Sequence, residues 1–211
     1  MFWGVAKFTC QRVTLISPVN ISKTLDGLWK NKPDNPQIIT PTREIGDGSV
    51  DKMNTVIHEK LYGATTTPKI LPCPEESVII TKNYYSPEGS RLLCSNGDIG
   101  EFVEYKKKAV YIKLDRTKEV VKVGKEDMEL AHALTVHKTQ GSEYDVVILV
   151  LVDVPRPLAN RELLYTAVTR AKRKLYIISD EATLSLCMRQ QISKRKCKLA
   201  EYLDACLDTL G

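Results

Sequence analysis

Hydrophobic positions recur along this chain in two rhythms. Apolar residues at helical spacing (Val50, Met53, Asn54, Ile57 and Leu61, with one amide among them) predict a helix over Val50–Tyr62. A similar face of Leu25, Leu28 and Trp29 predicts a helix over Ile21–Lys30, closed by the breaker-rich Lys32-Pro-Asp-Asn-Pro36. Between them Gln37–Thr40 reads as a short strand, and Pro41–Gly48 as a loop. After a Pro-rich loop, Ser77–Thr81 reads as a further strand. From Asn96 to about Asp127 the rhythm shortens to alternation: Ile99–Tyr105, Ala109–Asp115 and Glu119–Val123 are small strands separated by charged turns, which suggests a β-barrel-like insert. Strand and helix then alternate again, with strands at Val146–Leu151 and Leu175–Ser179 and an amphipathic helix over Leu163–Lys172. The chain closes on a basic and then amphipathic segment, Ile192–Leu210, expected to pack as a helix on the sheet. Alternating strands and helices predict an α/β fold: a parallel sheet with helices on both faces, interrupted by a small β insert.

Bulk properties narrow the picture only slightly. At 211 residues the chain can hold one sizeable core and a small subdomain. No apolar stretch approaches the ~20 residues that span a bilayer, and the first residues have no signal-peptide pattern, so no membrane partner is expected. A formal charge of +5 is compatible with nucleic acid without demonstrating it. The six cysteines (Cys10, Cys73, Cys94, Cys187, Cys197 and Cys206) show neither Cys-x-x-Cys spacing nor a zinc pattern, which points to reduced thiols in an intracellular protein, cytoplasmic or nuclear.

The chemistry concentrates in two segments. The first is Thr135-Val-His-Lys-Thr-Gln-Gly-Ser-Glu143, set between an apolar run and a strand. Thr135, Thr139 and Lys138 offer hydroxyls and charge to phosphate oxygens, and His137 can stack on a base or donate to phosphate. Gly141 permits close backbone approach or positive φ. Glu143 can accept from a ribose hydroxyl or hold a water. The second is Leu164-Tyr-Thr-Ala-Val-Thr-Arg-Ala-Lys172, which brings Arg170 to the end of a helix. A planar, permanently charged guanidinium suits a developing phosphoryl charge.

In order and spacing these segments resemble motifs V and VI of superfamily 1 helicases, most closely the RecD-like, 5′-to-3′ branch. Ile38-Ile-Thr-Pro-Thr-Arg-Glu-Ile-Gly46, followed by Asp51-Lys-Met-Asn54, resembles motif IV of the same family. Thr9-Cys-Gln-Arg12 resembles a short arginine-bearing motif, although the usual Arg-Gln order is not kept. Asn83-Tyr-Tyr and Asn96-Gly-Asp-Ile-Gly100 resemble the entry into an SH3-like 2B insert.

The resemblance implies a RecA-like domain 2A over residues 1–95 and 128–211, with the SH3-like 2B insert at 96–127. It implies that Thr40, Arg43, Thr135, His137, Lys138 and Thr139 meet nucleic acid. Gly141, Glu143 and Arg170 meet the nucleotide, and Arg170 and Arg12 act in catalysis. Phosphate and stacking contacts serve DNA or RNA alike; the RecD-like resemblance favours single-stranded DNA.

One element of such a motor is not found. The sequence holds no G-x-x-x-x-G-K-[ST], since its only Gly-Lys, Gly124-Lys125, is followed by Glu126. Asp153 and the pair Asp180 and Glu181 end apolar strands as a magnesium-binding carboxylate would, yet without a phosphate cradle they read as a loop residue and a helix N-cap pair. ATP with Mg²⁺ is therefore expected to bind jointly with a separate RecA-like 1A domain, in cis or in trans, and not to this chain alone. The competing reading is a stand-alone, non-hydrolysing single-strand-binding module derived from a helicase.

Overall fold

The computed structural model describes residues 12–18, 25, 36–63, 71–107 and 109–191. The expected helix over Ile21–Lys30 (Leu25 apart) and the terminal helix over Ile192–Leu210 lie outside the described residues, as do Cys10, Cys197 and Cys206. Cys73, Cys94 and Cys187 carry free thiols. Among the described residues no helix is long and apolar enough to cross a membrane.

The main sheet is built from β1 (Arg12–Ile16), β2 (Gln37–Thr40), β10 (Ala133–Thr135), β11 (Tyr144–Leu151) and β12 (Ala171–Ser179), in the order β1-β12-β11-β2-β10, and every pairing is parallel. Both faces are covered, and this explains why the central strands are apolar runs without polar alternation. Val147, Leu149 and Leu151 join Ile39, Leu175 and Ile177 under α2 (Arg161–Val168) and α3 (Glu181–Arg189), which contribute Leu163, Ala167 and Cys187. Ile148 and Val150 point the other way, joining Ile38, Ile178 and Ala133 beneath Met53 and Ile57 of α1 (Val50–Tyr62). The expected RecA-like α/β architecture is present.

A second sheet is antiparallel. It consists of β3 (Ser77–Ile80), β6 (Ile99–Lys106), β7 (Ala109–Leu114), β8 (Val120–Gly124) and β9 (Met128–Leu130), in the order β8-β7-β6-β3-β9. It therefore reaches beyond the alternating segment at 96–127, because β3 and β9 flank that segment in sequence and pair with each other in space. A ribbon of β4 (Tyr84–Tyr85) and β5 (Leu92–Cys94) lies beside it. The sheet has its own core of Val78, Ile80, Phe102, Val110, Ile112, Leu114 and Val123. Gly100 is required by packing: a Cβ there would collide with the Lys113 carbonyl on the paired strand β7.

Two local expectations change, and two hold. The helix expected over Leu163–Lys172 stops at Val168, and β12 begins at Ala171 instead of Leu175. Thr169 is the C-cap, with its hydroxyl donating to the Tyr165 and Thr166 carbonyls, and the Tyr144 N–H donates to the Arg170 carbonyl at 2.8 Å, opening the β11–β12 pairing early. Asp180 caps α3, accepting from the Thr183 N–H at 2.7 Å, as its helix-cap reading requires. Asp153 sits in a loop with φ 52°, and its carboxylate accepts from the Asp47 N–H at 3.0 Å, so it steadies the loop after β2.

Candidate nucleotide and nucleic-acid interface

The segment 135–143 does not sit at one place. Thr135 ends β10 at the carboxyl edge of the parallel sheet, whereas Glu143 immediately precedes β11, at the amino edge. Between them the chain crosses the face that carries α2, with Val136 buried among Leu163 and Ala167. The candidate residues consequently separate into two groups at opposite ends of the sheet.

At the carboxyl edge, Arg43 follows β2 and Lys138 follows β10. The two cations converge on one carboxylate: Arg43 Nη2 lies 2.6 Å from Glu129 Oε1, and Lys138 Nζ lies 2.8 Å from Glu129 Oε2. Burial opposes a charge on Glu129, but the Lys138 and Arg43 hydrogen bonds outweigh it and hold the carboxyl below its usual range. The same hydrogen bond and charge raise Arg43 further above its already high value. Glu129 thus fixes the spacing of two cations that are otherwise 95 positions apart, while both side chains remain partly open to solvent. Lys138 is also set by its backbone N–H donating to Thr135 Oγ1 at 3.2 Å. His137 is exposed and, with Gln140, lines a groove of about 310 Å³ walled by Pro157, Leu158, Asn160 and Thr166.

Two residues expected to meet phosphate are turned inward. Thr40 is fully buried and its hydroxyl donates to the Gly48 carbonyl at 2.6 Å. Thr139 is fully buried and its hydroxyl donates to the Val136 carbonyl at 2.9 Å. Both hydroxyls are spent on closing their own turns, so they shape the loops that carry Arg43 and Lys138 and do not present a donor to a ligand. That is a correction to the sequence reading, which could not see burial at a strand end.

At the amino edge, Arg170 follows the α2 cap. Its guanidinium spans two elements, with Nε donating to the Thr166 carbonyl and Nη1 to the Ser142 carbonyl, both at 3.0 Å, and Nη2 contacting Thr169 Oγ1 at 3.3 Å. The planar fork is therefore oriented by the backbone beside Gly141 and Glu143. Gly141 has φ 89° with open space where a Cβ would stand, so the turn needs glycine for conformation and leaves its backbone accessible. Glu143 is exposed and lies 3.3 Å from Lys172 Nζ. Gly141 and Glu143 flank Ser142, whose carbonyl the Arg170 guanidinium holds. Arg12 begins β1, beside Lys174 of β12 in register, and its side chain lies outside the description.

Sequence reasoning missed Glu129 and the role of Asn54. Glu129 reaches the cations only because β9 returns beside β3, and no local signal marks that pairing. Asn54 carried a signal, as the one amide on an apolar helix face; its Oδ1 accepts from the Ala133 N–H at 2.8 Å, and its Nδ2 donates to the Leu130 and Ala133 carbonyls, both at 3.2 Å.

Parts of this chain are similar to known helicases. Residues 130–178 match the UvrD-like helicase C-terminal domain. The chain is 29% identical over 179 residues to the ATP-dependent RecD2 DNA helicase of Deinococcus radiodurans, a match covering 82% of this chain and 24% of that protein. It is 50% identical over 58 residues to the RecBCD enzyme subunit RecD of Mycobacterium tuberculosis, covering 28% of this chain and 10% of that one. A structure of Pif1 helicases unwinding forked double-stranded DNA shares the fold, with a TM-score of 0.51 and 16% identity over 90% of this chain and 48% of its own. The match thus spans about a quarter or less of these curated relatives. In motif order and in these likenesses the chain is similar to the C-terminal region of RecD-like superfamily 1 helicases, on a parallel α/β sheet.

Proposed function

We propose that this chain supplies the second RecA-like domain of an ATP-dependent DNA helicase that moves 5′ to 3′, with the parallel sheet as domain 2A and the antiparallel sheet, which extends the 96–127 segment to β3 and β9, as the 2B insert. Arg170 acts as the arginine finger toward a nucleotide held by a RecA-like 1A domain, in cis or in trans, and Gly141 and Glu143 line the same edge. Arg12 is the second catalytic candidate. Arg43, Thr135, His137 and Lys138 contact single-stranded DNA at the opposite edge. ATP with Mg²⁺ supplies the phosphoryl group whose transfer drives movement. This chain's residues contribute an oriented positive charge and a strand surface, and the Walker elements come from the partner domain.

The observation that carries this reading is the double anchoring of the Arg170 guanidinium on the Thr166 and Ser142 carbonyls. It ties the arginine to the turn at 139–142, which follows Lys138 in the chain. A guanidinium fixed in this way is pre-oriented for a phosphate, which favours an arginine finger over a binding module without hydrolysis. The names of the relatives (a RecD2 DNA helicase, and Pif1 helicases acting on forked DNA) support DNA as the substrate.

Two outcomes follow. The 211-residue chain alone should show no DNA-stimulated ATP hydrolysis in a coupled assay; hydrolysis abolished by Arg170→Ala would mean that its domain content has been misjudged. In fluorescence anisotropy with a labelled oligothymidylate, the chain should bind with salt-dependent affinity. Arg43→Ala with Lys138→Ala should flatten the log Kd against log salt slope by about 2, one per lost phosphate contact. Glu129→Gln should act oppositely and tighten binding, because it removes the carboxylate that competes with phosphate for both cations. Unchanged slopes in both variants would remove this edge from the strand path.

A further inference from the structure

Two of the chain's three histidines meet at a buried carboxylate. His58 Nδ1, on α1, lies 2.8 and 3.0 Å from the two oxygens of Glu76. His132 Nε2, on the link between β9 and β10, lies 2.7 Å from Glu76 Oε1. Exposures of 2% for His58, 1% for Glu76 and 8% for His132 put the cluster inside the protein. The Cys73 thiol completes the group: with His58 and Glu76 it offers ligand atoms that all lie within 4.8 Å of one another. The Cys73 N–H donates to Glu76 Oε2 at 2.8 Å, and Glu75 between them takes φ 66°, so a tight Cys73-Pro-Glu-Glu76 turn brings thiol and carboxylate to the same place.

We infer that His58, Cys73 and Glu76 form a zinc site, with His132 held against Glu76 beside it. The donor set is an imidazole, a thiol and a carboxylate, three ligands of the kinds that bind Zn²⁺, with a fourth tetrahedral position for water. It is too poor in oxygen for Ca²⁺ or Mg²⁺ and contains the borderline-soft donors zinc takes. Tetrahedral zinc at ordinary bond lengths sets its ligand atoms about 3.3–3.8 Å apart. The His58–Glu76 contacts are shorter than that, and all three ligand atoms lie within 4.8 Å of one another, so closure takes a small opening of His58 from Glu76. Cys73 is only partly buried, which gives the ion a way in. Binding releases the thiol proton and any proton on the ligating His58 nitrogen.

Such a site ties together three segments that meet at the junction of the two sheets. His58 lies one turn along α1 from Asn54, Glu76 immediately precedes β3, and His132 immediately precedes β10. Through Glu76 and its hydrogen bond to His132 the ion would therefore hold the β9–β10 link, which delivers Glu129 on one side and Thr135 and Lys138 on the other.

The test uses the untagged 211-residue chain purified without chelator. Elemental analysis should find about one zinc per chain after dialysis, and Co²⁺ replacement should give visible bands of a tetrahedral ion together with a near-ultraviolet thiolate band. Cys73→Ser should abolish the near-ultraviolet band and weaken zinc binding at least about 10-fold, and His58→Ala should remove both sets of bands, each read on protein whose circular dichroism is unchanged. Because a buried histidine variant can fail to fold, Cys73→Ser at the partly exposed ligand decides the matter by itself. A folded wild-type chain that holds no zinc and gives no Co²⁺ bands overturns the proposal and leaves a hydrogen-bonded His–Glu–His cluster. Metal that is retained unchanged in Cys73→Ser overturns it equally, since the ion would then be elsewhere.

Discussion

Replacing Arg170 by alanine, in a protein that joins this chain to a Walker A and B domain, is expected to lower kcat for ATP hydrolysis by about 10³-fold or more while leaving single-strand affinity nearly unchanged. The separation of effects follows from position. Arg170 stands at the amino edge of the sheet beside Gly141 and Glu143, whereas Arg43 and Lys138 stand at the carboxyl edge around Glu129. A charge aimed at phosphoryl transfer stabilises the transition state more than the ground state, so the loss appears in kcat. Arg170→Lys should fail almost as badly. The guanidinium uses Nε and Nη1 to bridge the Thr166 and Ser142 carbonyls, and a flexible ammonium cannot hold both carbonyls and still present charge outward. Steady-state ATPase alongside anisotropy decides it. Near-normal kcat in the lysine variant would reduce Arg170 to a tie between α2 and the 139–142 turn.

The second large effect is on stability. Asn54→Ala should destabilise the chain by about 3 kcal/mol, read as a lower urea midpoint at unchanged m. Asn54 is 7% exposed and satisfies three backbone groups on the β9–β10 link. Without it the Ala133 N–H is left buried with no partner on α1, and the Leu130 and Ala133 carbonyls each lose a donor. Because that link leads into Thr135 and Lys138, the variant should also bind single strands less tightly. A change below about 0.5 kcal/mol would mean that packing of Met53 and Ile57 alone holds the helix, and that the amide bonds add nothing net.

The main architecture was legible because its signals are local. The apolar runs at Gln37–Thr40 and Val146–Leu151, the 3.6-residue rhythm of Val50–Tyr62 and the short alternating strands after Asn96 each report which faces are buried, and burial on both faces requires a doubly covered parallel sheet. The nine residues from Thr135 to Glu143 and the Arg170 segment were legible as chemistry for the same reason: the identities and order of neighbours lie within one short stretch. Even the two decoys, Asp153 and Asp180, could be read as loop and cap from the absence of a phosphate cradle.

What only the tertiary structure decided depends on residues distant in sequence. That β3 and β9 pair, extending the antiparallel sheet past 96–127, is set by a contact between positions about 50 apart, and periodicity carries no record of a partner. The inward turn of Thr40 and Thr139 is invisible in a pattern that scores every threonine as polar, because a hydroxyl can satisfy a neighbouring carbonyl as readily as a ligand. The helix end at Val168 was set by the β11–β12 pairing, which draws Ala171 and Lys172, read from the sequence as helix, into a strand. The convergence of Arg43 and Lys138 on Glu129, and of His58 and His132 on Glu76, likewise required the sheets to be folded first. Sequence determines such side chains one at a time; their mutual distances exist only once long-range strand pairing has closed the loops between them.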